Sequence, residues 1–450
     1  MAEQKSFLQR NKYLFIGGAL VFFILSGLLY YYAPTAGHYE VDSSAYDRVA
    51  RIFLETGTIQ DVGGKPPIHT QGYHFVLAVM YWLCGVKLWP VILLQIILAF
   101  LSILLVTQAA FLWCGESVAR IIYLLAVIDG AFLVYPQFML AETVLLFLLS
   151  LFFERIASFY VTKNNGTLIG AGLVLGMSLI VKPTALFLPV CLAFCFGVLS
   201  FFIPLSVTWV HFLLLSIAMY APVVLYIIRN GLVFGSYTFS FLMSSGLYWW
   251  FSATILAKLQ AIPFEESLQY VQNLADTHYS QLQAGYWKPL QTFAFDLFLH
   301  NPVLVLSMWM QNIAKTFFGL FTVQLQLLFD PTVRGNVLPF FETQGSLITK
   351  CIAYCAWAFR SPLVGSWMLF EFLTNGLRWI LVLWGVHALW SEKQYELLIF
   401  FFCIVGCFSV VTGFYGAGRY RITFEPILLI VASQGIISLY KSYKRIKLKR

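Results

Sequence analysis

Apolar stretches close to 20 residues long recur along this chain, from Tyr13–Tyr32 near the start to the last one near 425–440. A stretch of that length crosses the hydrocarbon core of a bilayer as an α-helix, where every backbone group must find its partner inside the protein. The stretches are continuous rather than alternating, which excludes an outer-membrane β-barrel. Only 11% of the 450 residues are charged and 60% are hydrophobic, whereas about a quarter of a soluble domain is charged. Too little charge is left to cover a water-exposed globule. The sequence therefore predicts an all-α polytopic membrane protein.

Apolar length and flanking charge place spans near 13–33, 89–112, 118–137, 140–160, 167–182, 184–203, 208–228, 302–325, 345–360, 366–390, 397–415 and 425–440. That makes about 12 transmembrane helices, within bounds of 10 and 13, because Lys315 interrupts one stretch and Asp330 to Gly345 reads as an irregular connector. Much of the net charge of +8 sits at the two ends, on Lys5, Arg10 and Lys12 and on Lys441, Lys444, Arg445, Lys447, Lys449 and Arg450. Basic clusters beside apolar spans place both termini in the cytoplasm, against anionic lipid headgroups, and leave nucleic acid without a role. The first stretch ends in Tyr30-Tyr31-Tyr32-Ala33-Pro34, an interfacial aromatic belt rather than a cleavage site, so it reads as a retained anchor.

This topology makes residues 1–450 a single transmembrane domain in the cytoplasmic (inner) membrane, with two large outer loops at 34–88 and 229–300. The second carries Glu265, Glu266, Asp276, His278 and Asp296 and reads in part as amphipathic helix lying on the membrane. Short turns near Trp113–Ser117, Lys163–Gly166 and Ser391–Glu396 face the cytoplasm, so Asn165-Gly166-Thr167 is a chance match to a glycosylation signal. The pairs Cys191/Cys195, Cys351/Cys355 and Cys403/Cys407 each share a helix face, in apolar surroundings where Cys acts as a small hydrophobe.

The first outer loop concentrates polar residues. Ser43 to Thr56 reads as an amphipathic helix, with Ala45, Val49, Ile52 and Phe53 on one face, Asp47, Arg48, Arg51 and Glu55 on the other, and Gly57 as its stop. Asp42 stands just before it, either as an N-cap or as a carboxylate aimed at a membrane-facing cavity. Lys65-Pro66-Pro67-Ile68-His69-Thr70-Gln71-Gly72-Tyr73-His74 is a stiff segment that would hold the loop against the membrane surface. Asp129 and Glu142 lie in or near spans, where an ionisable side chain is a functional candidate.

Asp42-(x)3-Tyr46-(x)3-Ala50, Gly57 and Gly72-Tyr73-His74-Phe75 resemble the first outer loop of GT-C-type glycosyltransferases. The nearest branch is the protein O-mannosyltransferase-like proteins, which include the lipid A aminoarabinose transferase. Further patches agree in order: Tyr135-Pro136 before Glu142, Gly172-(x)3-Gly176 before Lys182-Pro183, Arg229-Asn230 before Phe234-Gly235, and Gly418-Arg419-Tyr420-Arg421 before Glu425-Pro426. The resemblance implies an inverting transfer of sugar from a polyprenyl-phosphate-linked donor to a lipid, glycan or protein acceptor on the outer face. It implies Asp42 as the base, and it places Tyr46, His69, His74, Glu142 and Tyr420 at the substrate. Lys65, Lys182, Arg229, Arg419 and Arg421 are the cations it offers to the donor phosphate, with Arg419 and Arg421 as a clamp around Tyr420. No cofactor is certain; His69 and His74 with Asp42 offer ligands to a divalent metal. Ser43 and Ala45 stand where the aminoarabinose transferase carries an acid and an Arg, so the resemblance speaks for the reaction class and leaves sugar and acceptor open. The competing reading is a transporter or flippase of a lipid-linked or amphiphilic substrate, which would ordinarily show two matching halves. No such repeat is visible.

Overall fold

A computed structural model describes residues 7, 9–40, 42–201, 207–240, 245–276, 287–333 and 346–449. His278, Lys5, Arg450 and most of the connector between Asp330 and Gly345 lie outside the described residues. Every regular element among the described residues is helical. Six single helices are long and apolar enough to cross a membrane: Lys12–Tyr32, Leu88–Cys114, Glu142–Thr162, Trp209–Phe234, Pro362–Ser391 and Tyr395–Thr412. Two bent pairs raise the number to eight, Glu116–Val127 with Gly130–Gln137 at 55° and Pro289–His300 with Pro302–Phe318 at 102°. Gly72–Cys84, Asn165–Val181 and Pro183–Val198 are shorter apolar helices. The chain is an integral membrane protein.

The count of about 12 came from windows of hydropathy, and the structure divides several of those windows. The stretch at 345–360 holds the 12-residue helix Leu347–Ala358. The stretch at 302–325 stops at Phe318, where the backbone of Gly319 lies against that of Gly418, and restarts as Thr322–Phe329. The outer loop at 34–88 contains a helix of its own, Gly72–Cys84.

The stretch at 118–137 breaks at Asp129, and residues 134–141 run through the interior as one 3-10 turn, Tyr135–Gln137, followed by irregular backbone. Non-helical backbone at such a depth has to be satisfied by the protein itself. Gln95 donates to the carbonyls of Pro136 (3.0 Å) and Phe138 (2.5 Å), and Gln137 donates to that of Ser26 (3.2 Å). Met139 N–H donates to the His38 carbonyl at 2.9 Å, and the His38 ring nitrogen Nδ1 meets the Gln137 carbonyl at 2.6 Å. One buried glutamine and the entry of the first loop thus hold open the path into Glu142.

The amphipathic helix Ser43–Thr56 forms, and Gly57 ends it in the left-handed region at φ 71°. Its buried side is centred on Tyr46, Val49 and Ala50, with Ile52 and Phe53 half-buried, a rotation from the face read in the sequence. The rotation follows from Tyr46, whose ring packs against His69, Tyr73 and His74 at centroid distances of 4.7, 4.9 and 5.1 Å. On the opposite side Arg48 pairs with Asp61 (2.8 Å) and Arg51 with Asp47 (2.9 Å).

Close backbone approaches set the helix ends near that loop. Gly172 and Gly176 leave Asn165–Val181 no room for a side chain against Leu215, Ala218 and Met219 of Trp209–Phe234. Thr70 Oγ1 donates to the Val181 carbonyl at 2.9 Å, and a Cβ on Gly72 would stand 2.8 Å from the Ile180 carbonyl oxygen. The 65–71 segment is thereby seated on the residues just before Lys182. Replacing Gly72 with Val should destabilise the protein by about 1–3 kcal/mol. A lower unfolding midpoint in detergent would register it, and an unchanged midpoint would refute the packing constraint.

Candidate functional site

Five segments distant in sequence bring Asp42, His69, Glu142, Lys182 and Arg419 together at one end of the bundle. Asp42 precedes Ser43–Thr56 with helical backbone angles, and its carboxylate does not cap that helix. It faces two other side chains instead: Oδ2 accepts from Arg419 Nη1 at 3.1 Å, and Oδ1 lies 3.8 Å from His69 Nε2. Glu142 opens the helix Glu142–Thr162 and is buried. Lys182, where Asn165–Val181 gives way to Pro183, donates to Glu142 Oε1 at 2.6 Å. Arg419 lies in the short turn Gly418–Thr423, donates to the Tyr420 hydroxyl at 3.3 Å and reaches within 4.0 Å of Glu142. Lys182 and Arg419 both lie over the Tyr420 ring, at 5.3 and 5.2 Å.

Burial pushes the Asp42 carboxyl up, but its positive neighbours, Arg419 foremost, outweigh burial and hold the group below 3.8. Burial also pulls the His69 imidazole down, so His69 is neutral near pH 7 and Arg419 is the partner that counts there. Two carboxylates then face two cations. The two pairs differ in access: the Lys182 and Glu142 side chains are 8% and 2% exposed, those of Arg419 and Asp42 22% and 20%. Several buried polar atoms nearby have no hydrogen-bond partner, among them Glu142 Oε2, His69 Nδ1 and Thr184 Oγ1. Such a group is able to hold an anion on its cations and a hydroxyl on its open carboxylate.

The remaining candidates are placed more widely. Tyr46, His74 and Tyr420 are buried around the cluster, with Tyr46 between the two histidines. Lys65 is exposed on its loop, and its carbonyl accepts from Asp61 N–H at 2.7 Å. Arg229 donates to the Ile59 carbonyl (3.2 Å) and to Asn230 (3.1 Å), tying Trp209–Phe234 to the first loop.

Arg421, read from the sequence as half of a clamp with Arg419, turns to different partners. It is buried, pairs with Glu425 at 2.8 Å, lies 3.9 Å from Glu371, and donates to the carbonyls of Phe317 (3.1 Å) and Gly319 (2.9 Å). Arg378, which sequence reasoning passed over, completes this second cluster by pairing with Glu425 and, at 2.5 Å, with Asp129. Asp129 also caps the next helical turn through Ala131 N–H at 2.8 Å. Glu371 accepts from Phe321 N–H (2.5 Å) and the Thr322 hydroxyl (3.1 Å), holding the start of Thr322–Phe329. The signal was present: Glu371 and Arg378 are ionisable residues at i and i+7 inside an apolar stretch.

No family model matches the sequence, and no curated protein matches it. Solved structures do. The archaeal oligosaccharyltransferase AglB from Archaeoglobus fulgidus, in complex with an inhibitory peptide and a dolichol-phosphate, matches 98% of this chain with a TM-score of 0.57 at 11% identity. The fold is GT-C. A second structure of the archaeal enzyme, in complex with Zn and sulfate, matches 96% of the chain with a TM-score of 0.54 at 11% identity. The GT-C region shared with these structures is 52% and 49% of their own length, so the chain spans about half of each. ArnT from Cupriavidus metallidurans, bound to undecaprenyl phosphate, gives a TM-score of 0.45 at 13% identity over 94% of this chain and 77% of its own.

A divalent ion is present in one of those GT-C structures. Among the described residues of this chain, no group of three or more His, Cys, Asp or Glu is arranged to hold one. Asp42 and Glu142 each already face a cationic side chain, and an ion between them would lie against Arg419 and Lys182. The set Asp42, His69 and His74 offered by the sequence is likewise not grouped around a common point among the described residues.

Removing one member of a buried ion network leaves its partners unpaired, which costs about 3–5 kcal/mol. Arg378→Met should therefore lower the unfolding midpoint far more than a surface change such as Arg48→Met. Equal melting of the two variants would contradict a structural role for the network.

Proposed function

We propose that this protein transfers a sugar from a polyprenyl-phosphate-linked donor to an acceptor hydroxyl at the outer face of the cytoplasmic membrane, both termini being cytoplasmic. The observation that carries the reading is one partly open carboxylate, Asp42, paired with Arg419 and standing beside the buried Lys182–Glu142 pair at one end of a GT-C bundle. The archaeal enzyme of the same fold holds a dolichol-phosphate and a peptide, which supports a lipid-phosphate donor and an acceptor brought from outside.

In this reading the donor phosphate lies against Arg419, with the charge of Lys182 behind it in its pair with Glu142, Lys65 offered as a further cation from the first loop, and Arg229 holding that loop at Ile59. The acceptor oxygen attacks the anomeric carbon as the bond from that carbon to the phosphate oxygen breaks. The leaving phosphate keeps the electron pair and is stabilised by the two cations. The acceptor proton passes to Asp42. A carboxyl held below its ordinary range is a weak base, so Asp42 acts mainly by accepting the acceptor's hydrogen bond, orienting it, and taking the proton late. Glu142 is sealed by Lys182, which leaves one available carboxylate and supports a single displacement with inversion. His69, His74, Tyr46 and Tyr420 form the wall that keeps this geometry. In this reading residues 34–88 are the first outer loop, with Asp42, and 229–300 the second large outer loop.

Asp42→Asn should reduce transfer by about a hundredfold or more while leaving the unfolding midpoint nearly unchanged. A labelled polyprenyl-phosphate sugar with membrane-extracted acceptors would measure it, and a wild-type rate would remove Asp42 from the chemistry. The wild-type rate should be level from about pH 6 to 8 and fall only in acid, because Asp42 must lose its charge for the site to fail.

A further inference from the structure

Arg419 already has a partner at each of its three side-chain nitrogens. Its Nη1 is on Asp42 at 3.1 Å, its Nη2 on the Tyr420 hydroxyl at 3.3 Å, and its Nε lies 4.0 Å from Glu142. Lys182, the other cation of the cluster, is locked to Glu142 at 2.6 Å in a pair almost without exposure. An arriving phosphate would therefore find its exchangeable partner in Arg419, because the Arg419–Asp42 pair is the longer of the two and the more open. A guanidinium turned to a phosphate is no longer available to Asp42 in the same geometry. Both cations of the cluster already face carboxylates, so an arriving anion meets Asp42 as a competitor at Arg419.

We infer that the donor phosphate and Asp42 compete for Arg419, so that donor binding releases the Asp42 carboxylate to grip the acceptor, and the donor binds first. This rests on the reading above and adds an order of binding to it. In the resting site Asp42 is masked by its ion pair. With the phosphate in place, Asp42 loses its main positive neighbour and becomes both a freer hydrogen-bond acceptor and a stronger base, at the moment when the electrophile is present. Premature capture of an acceptor is thereby suppressed without any moving domain.

The competition has a consequence opposite to that of a carboxylate that helps to hold the donor. Removing the charge of Asp42 should tighten binding of the phosphate. The measurement is the affinity of the full-length protein, in nanodiscs, for undecaprenyl phosphate alone, with no transfer involved. Asp42→Asn should bind about threefold to tenfold tighter than wild type, the range expected for a half-open ion pair. Arg419→Gln should bind more weakly, and adding Asp42→Asn to Arg419→Gln should yield little or none of the gain. An Asp42→Asn affinity equal to or weaker than wild type overturns the competition. An equal gain in both backgrounds also overturns it, because simple repulsion between Asp42 and the phosphate would then suffice. No binding to wild type or either variant would overturn the proposed function itself. A check that needs no variant is carbodiimide labelling of Asp42 in the wild type, followed by peptide mass spectrometry. Undecaprenyl phosphate should raise labelling at least about twofold as the freed carboxyl takes up protons more readily; protection would overturn the inference.

Discussion

Asp129, Glu371, Arg378, Arg421 and Glu425 are ionisable groups packed inside the bundle, where a lone charge is strongly unfavourable and a well-paired one is tolerated. Their mutual pairing joins the break after Glu116–Val127, the middle of Pro362–Ser391, the end of Pro302–Phe318, and the turn Gly418–Thr423. The site depends on that last connection. Arg421 anchors the turn from below, and Arg419, two residues earlier, is thereby presented to Asp42. Arg419 and Arg421 look equivalent as letters, but one is bound on every side and the other retains an open face.

The same constraint shapes the other walls of the site. Residues 134–141 leave the α-helix, and carbonyls of Pro136, Gln137 and Phe138 are taken up by Gln95 and His38 rather than by water. That irregular path delivers Glu142 to Lys182. On the far side, Gly72 and Thr70 press the first loop onto the end of Asn165–Val181, which brings His69 and Asp42 to the same place. Each charged group thus arrives on a segment whose own backbone is held by other residues. Exposed apolar side chains along Lys12–Tyr32 and Pro362–Ser391 face outward from this frame, as expected for a protein solvated by lipid.

Much of this was legible. Uninterrupted apolar length is a one-dimensional property, and it predicts helical spans; it does not settle their number, because a window average does not register the breaks at Asp129 and Gly319. Gly57 was readable because only a left-handed turn calls for glycine after an amphipathic run. The face of Ser43–Thr56 was misread around Tyr46, whose partners His69 and His74 come from a segment some 25 residues away. Arg378 and Glu371 went unremarked because the hydropathy of their neighbours hid them. The roles of Arg419 and Arg421 were merged because their difference lies wholly in what surrounds them.

Composition and apolar spacing alone determined that the chain enters a membrane as helices, since hydrocarbon admits only helices and closed barrels and the unbroken apolar runs rule out the barrel. They also determined that polar residues gather in the loop around Asp42. Which cation meets which carboxylate was decided only by the tertiary structure. Charge pairing depends on distances of about 3–4 Å between segments far apart in sequence, and no local pattern encodes such distances. Asp42 is a candidate cap by its position and a masked carboxylate by its contact with Arg419, 377 residues away.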